Sequence, residues 1–91
     1  MQYKFDELLD FPCVIDFRII IDANYDNALD KLIEFINSKY QNSVMELRTP
    51  PRKSSNGNYI SYTVPVKVLE ASHIEDLYKK IAALEYVKHI I

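Results

Sequence analysis

Glycine is nearly missing from this chain: Gly57 is the only one in 91 residues. Phosphate-cradling loops need several glycines so that backbone N–H groups can close on an anion, and no such loop can be built here. Cysteine is as scarce. Cys13 stands alone, which excludes an intramolecular disulfide and makes a reducing cytoplasm the expected compartment. It shares a strand face with Ile15 and Phe17, a setting that favours core packing over a reactive thiol. The two histidines, His73 and His89, are separated in sequence, and neither has Cys, His or carboxylate neighbours at metal-ligand spacing. His73 is expected to be exposed in the first turn of a helix, and His89 to lie near a sheet edge. No Ser-His-Asp arrangement can be assembled, so neither an enzyme nor a cofactor is expected.

Long apolar runs are also lacking. None approaches the roughly 20 residues that span a bilayer, and no basic, then apolar, leader opens the chain. A soluble protein with no membrane partner follows as the expectation. Nor does one sign of charge dominate: 11 Lys and Arg face 13 Asp and Glu, a formal net of −2. That balance disfavours nonspecific nucleic-acid binding, which relies on basic surface. The length suits one domain over residues 1–91, with 1–11 as a lead segment carrying Phe5, Leu8, Leu9 and Phe11 among charges.

What the chain does have is clear periodicity. From Cys13 to Asp22, Cys13, Ile15, Phe17, Ile19 and Ile21 alternate with Val14, Asp16, Arg18, Ile20 and Asp22, which predicts a half-buried first strand. Tyr25, Leu29, Leu32, Ile33, Ile36 and Tyr40 then fall at three-and-four spacing on one helix face. Ser72 and Glu75 have capping-box spacing ahead of Ile74, Leu77, Tyr78, Ile81 and Leu84, and Glu75–Lys79 and Asp76–Lys80 form i,i+4 pairs in the favourable order. A last short strand runs from Tyr86 to Ile91.

Between the helices, strands of about 43–49 and 59–69 flank Asn56-Gly57, a pair suited to the positive φ angles of a type I′ turn. With those two as the loop, Leu47 faces Val66, Met45 faces Val68, and Glu46 faces Lys67. Pro50 and Pro51 mark the second strand as an edge, and Pro65 predicts a bulge or a missing hydrogen bond in the third. The order β-α-β, β-α-β gives an α+β, ferredoxin-like βαββαβ sandwich. Its four-stranded antiparallel sheet has order 4-1-3-2, with two helices on one face.

Two segments, Leu8-Leu9-Asp10-Phe11-Pro12-Cys13 and Lys53-Ser54-Ser55-Asn56-Gly57-Asn58-Tyr59 with Ser61 two residues on, resemble the YbeD-like family of small bacterial proteins of unknown function. The resemblance covers nearly the whole chain. It implies a ferredoxin-like fold similar to ACT regulatory domains, and it brings no catalytic residues. ACT domains usually place glycine where backbone approaches the bound amino acid, whereas here Asp22-Ala23-Asn24-Tyr25 has none.

The candidate binding residues are Arg48, Arg52, Lys53, Ser54, Ser55, Asn58, Tyr59 and Ser61, which combine cations, hydroxyls and an aromatic near one turn. Against this stands the plainer reading that Ser and Asn shape the turn and the basic groups keep its tip hydrated. The expected function is a noncatalytic regulatory or adaptor domain that binds a protein partner through the 52–63 hairpin and the open sheet face. The alternative is an ACT-like sensor of a small metabolite. RNA binding ranks lower, because Tyr59-Ile60-Ser61-Tyr62 only faintly matches the stacking strand of RNA-recognition motifs and the first strand offers Asp16 and Arg18 where an aromatic is wanted. A monomer or weak homodimer through the last strand is expected.

Overall fold

The computed structural model describes residues 10–91, so the expectations for Phe5, Leu8 and Leu9 lie outside the described residues. It contains β1 (Cys13–Asp22), α1 (Ala28–Lys39), β2 (Arg52–Lys53), β3 (Tyr59–Val68), α2 (Ala71–Ala82) and β4 (Val87–Ile90). The strands form one antiparallel sheet in the order β2-β3-β1-β4, the expected ferredoxin-like order read from its other edge.

Alternation along β1 puts Phe17, Ile19 and Ile21 on the helix-covered face, and the unbroken pairing of β1 with β3 brings Val64, Val66 and Val68 onto the same face. Leu32 and Ile36 of α1 and Ile74, Leu77 and Ile81 of α2 close this core, every one of them fully buried. Each such side chain contributes about 1.5 to 3 kcal/mol by leaving water. Phe17 also meets Tyr78 edge-on, with ring centroids 5.1 Å apart. Cys13 is half-buried and packs against the core rim, as its strand parity implies.

In α1 the buried stripe is Ala28, Leu32 and Ile36, flanked by Leu29, Phe35 and Tyr40. Ile33, expected on that face, stands outside the core cluster. The helix begins after Asn27, whose φ of 56° re-aims the chain, so the apolar stripe runs through Ala28 and Phe35. The capping box also fails. Glu70 is the N-cap of α2, its carbonyl accepts the His73 N–H, and the Ser72 hydroxyl donates to the Glu70 carboxylate from inside the first turn. Of the two i,i+4 pairs, Asp76–Lys80 closes at 3.1 Å, while Glu75 and Lys79 form no ion pair.

The second strand departs most from expectation. Val44, not Leu47, pairs with Val66, through Met45 N–H to Pro65 O and Lys67 N–H to Ser43 O. Residues 46–51 then leave the sheet, and pairing resumes only at Arg52 with Ser61 and Lys53 with Ile60. The proposed register is therefore right at the tip and three residues out at the base. Pro50 and Pro51 have no N–H for a ladder, so the intervening chain bows outward and absorbs the difference. Pro65 causes no bulge: β1 and β3 stay in register across it. Its carbonyl points to the β2 side, so its missing N–H faces the bowed segment, where little ladder is lost.

The tip is not a type I′ turn. Gly57 has a positive φ, of 76°, but Asn56 does not. A wider loop forms, with Gly57 N–H donating to Ser54 O and Ser54 N–H to Tyr59 O.

At the far edge, β1 pairs Ile20 with His89 and Ile21 with Val87, leaving Lys88 as the extra residue of a bulge. Tyr86 is buried just before this strand, and its carbonyl accepts the Asp22 N–H.

Candidate functional site

The sheet face without helices carries Val14, Asp16, Arg18, Ile20 and Asp22 from β1 and Tyr59, Ser61, Thr63, Pro65 and Lys67 from β3, set there by strand parity. Two grooves open on it. The first, about 410 Å³, lies beside the hairpin and is lined by Arg52, Lys53, Ser54, Ser55, Tyr59 and Ser61, with Ile20 as its apolar floor. The second, about 580 Å³, lies where the bowed segment leaves β3, between Val14, Asp16 and Pro65 on one side and Met45 and Arg48 on the other.

Six of the eight candidate residues thus converge on the hairpin groove. Arg48 is carried into the neighbouring groove by the bow. Asn58 lines neither groove; its carbonyl accepts the Ala23 N–H and its own N–H donates to Asn56 Oδ1.

Within the loop the polar residues divide their work. Ser54 Oγ donates to Asn56 Oδ1 and accepts the Tyr59 N–H at 3.0 Å. Ser54 and Asn56 therefore build the turn, as the plainer reading holds. Arg52, Lys53 and Ser55 are exposed and take no part in those bonds, while Tyr59 and Ser61 are half-buried in the groove wall.

Two contributors escaped the sequence reading. Alternation places Ile20 among the outward residues of the first strand, and an apolar side chain on the face without helices is itself a signal. Lys88 reaches the site through the β4 bulge, with Nζ 5.9 Å from the Tyr59 ring centroid, and bulge positions carry no simple sequence mark.

The electrostatics follow from parity. Among the described residues the ion pairs are Lys80 with Asp76 and His73 with Glu70, both on α2 or its cap. Arg18, Arg52, Lys53 and Lys88 are exposed, with no carboxylate at ion-pair distance among the described residues. No group of His, Cys, Asp and Glu that could hold a metal occurs among the described residues.

A second polar cluster joins the helices. The Tyr40 hydroxyl donates to Asp76, and its ring stacks 4.5 Å from that of His73, which is half-buried instead of exposed as expected. Burial, reinforced by the Asp76 carboxylate, pushes Tyr40 up to about 12. The Tyr40 hydrogen bond, then Lys80, holds Asp76 below the usual carboxylate range. This contact fastens the end of α1 to α2, on the helix side of the sheet.

A ferredoxin-like sandwich, with two helices on one face of a four-stranded sheet among the described residues, defines the class. Within it, the chain belongs to the family described as "Protein of unknown function (DUF493)", whose model matches residues 6–91. It is 34% identical to a UPF0250 protein of Shewanella putrefaciens over 91 residues, covering 100% of this chain and 99% of the relative. A UPF0250 protein of Shewanella oneidensis is 32% identical over the same span, with the same coverage. The solution structure of the protein HP0495 from Helicobacter pylori is similar with a TM-score of 0.69 and 25% identity, over 91% of this chain and 85% of that one. A second solution structure of HP0495 gives a TM-score of 0.58 and 26% identity, over 89% of this chain and 87% of that one. The resemblance to the YbeD-like family and the ferredoxin-like fold are both borne out. No helix among the described residues is long and apolar enough to cross a membrane.

Proposed function

We propose that this protein is a noncatalytic adaptor or regulatory domain that holds a protein partner on the open sheet face, with the hairpin groove as its anchor. The observation that carries this reading is the groove itself, where an apolar floor at Ile20 and the half-buried Tyr59 and Ser61 meet the unpaired cations Arg52 and Lys53. A turn built by Ser54 and Asn56 needs none of those five side chains. Exposed cations around a partly apolar floor are the makings of an interface with a charged rim.

The metabolite-sensor alternative has less support. In the turn after β1, Ala23 N–H donates to Asn58 O, Asn24 N–H to Asp22 Oδ1 and Tyr25 N–H to Asp22 O. Those amides are therefore engaged, and a bound amino acid would find few donors for its carboxylate. One free cysteine suits a cytoplasmic site of action.

The test is capture from a lysate of the source cell by tagged protein. Replacing Arg52, Lys53 and Tyr59 together by Ala should abolish capture while leaving the melting temperature nearly unchanged, because exposed charges contribute little to folding. Retained capture by a folded triple variant would reduce the hairpin to a turn.

A further inference from the structure

We infer that the occupant of the hairpin groove is an extended acidic segment of the partner, with one apolar side chain set between two carboxylates. This rests on the adaptor reading above and adds the chemistry of what is bound. The chain is acidic overall, with a formal net of −2, yet its charges are segregated. Asp26, Asp30, Glu34, Glu75 and Glu85, exposed on the helices and their connections, together with Glu70 and Asp76 outnumber Lys31, Lys39, Lys79 and Lys80 there. The hairpin end of the open face carries Arg18, Arg52 and Lys88 against Asp22, with Asp16 the next outward residue beyond Arg18, and Lys53, opposite Ile60 at the hairpin, extends the basic rim of the groove.

The spacing of these groups is that of a strand. Arg18 and Ile20 are two residues apart on one face of β1, about 6 to 7 Å along the strand. Tyr59, with Lys88 over its ring, lies one further step on, since Tyr59 pairs with Asp22 and Ser61 with Ile20. Arg52, paired with Ser61, flanks the middle of this row. An extended peptide laid along β1 repeats its side chains at the same interval. Its pattern of acid, any, apolar, any, acid brings one carboxylate to Arg18, the apolar group onto Ile20 and Ser61, and the second carboxylate to Lys88 over Tyr59, a cation it shares with the neighbouring Asp22. A nucleic acid fits less well: Tyr59 is the one aromatic among the outward residues of β1 and β3, so there is no row of stacking rings.

The experiment is an amide chemical-shift titration of the full chain with the synthetic peptide Gly-Ser-Glu-Ser-Leu-Ser-Glu-Ser-Gly, its twin with Lys for both Glu, its twin with Ser for Leu, and a twelve-residue oligo-deoxythymidine. The Glu peptide should shift Arg18, Ile20, Ser61 and Lys88, and the two altered peptides should bind roughly tenfold or more weakly. Arg18→Glu with Lys88→Glu should abolish binding of the Glu peptide and create binding of the Lys peptide, whereas Lys79→Glu on α2 should change nothing. This exchange of preference distinguishes lost recognition from a lost fold. Equal binding of the Glu and Lys peptides, no shift with any peptide, or tighter binding of the oligonucleotide would each overturn the inference. A captured partner that depends on Arg52, Lys53 and Tyr59 but contacts them through a neutral or basic segment would also overturn it, while leaving the adaptor reading intact.

Discussion

Single residues decide two features that the sequence shows unequally. Gly57 is legible, because the only glycine of the chain falls where φ is positive, and Gly57→Val should destabilise the fold by about 1 to 2 kcal/mol in denaturant unfolding. An unchanged midpoint would mean that the loop relaxes into another turn. The Tyr40–Asp76 contact is not legible, since 36 positions separate its partners and the local pattern pairs Asp76 only with Lys80. Its pH dependence has two windows. Asp76 is held low, so its contribution is present above the ordinary carboxylate value and is lost as pH falls through the depressed one. Tyr40 is pushed up, so its contribution is complete below pH 10 and is lost as pH rises toward about 12. Tyr40→Phe should lower the melting temperature at neutral pH and flatten both flanks of its pH profile. Part of the alkaline fall should remain, because burial also raises Tyr86. Parallel profiles for the two proteins would contradict this assignment.

At the scale of elements, β1, β3 and α2 were readable because each has one clean period and a single buried face. The second strand was not, because two influences compete within 43–53. Its apolar alternation favours a continuous ladder, while Pro50 and Pro51 forbid one, and sequence alone does not say how many residues the conflict expels. The outcome predicts a contrast. Leu32, fully buried, should cost about 2 to 5 kcal/mol when cut to Ala. Leu47, half-buried in the bowed segment, should cost clearly less. Equal costs would restore Leu47 to a true strand position. Hydrogen exchange gives a second reading of the same point: the Met45 and Lys67 amides, bonded to Pro65 and Ser43, should exchange slowly, and those of 46–49 quickly. The candidate site was legible in part for the same reason. The residues adjoining the tip kept their register and reached the groove, whereas Arg48, on the far side of the prolines, was displaced.

Over the whole molecule, the sandwich covers one sheet face with its two helices, and among the described residues no element covers the other. β4 is four residues long and guarded by Lys88 and His89, both exposed. A monomer with weak, concentration-dependent dimerisation through that edge is the expected behaviour, and light scattering that finds a stable tetramer would count against it. The central claim is that recognition belongs to the open face and not to the helices. Hydrogen exchange of the protein with and without its captured partner tests this most directly. The account predicts new protection over 52–63 and along β1, with the exposed faces of α1 and α2 unchanged; protection confined to the helices would contradict it.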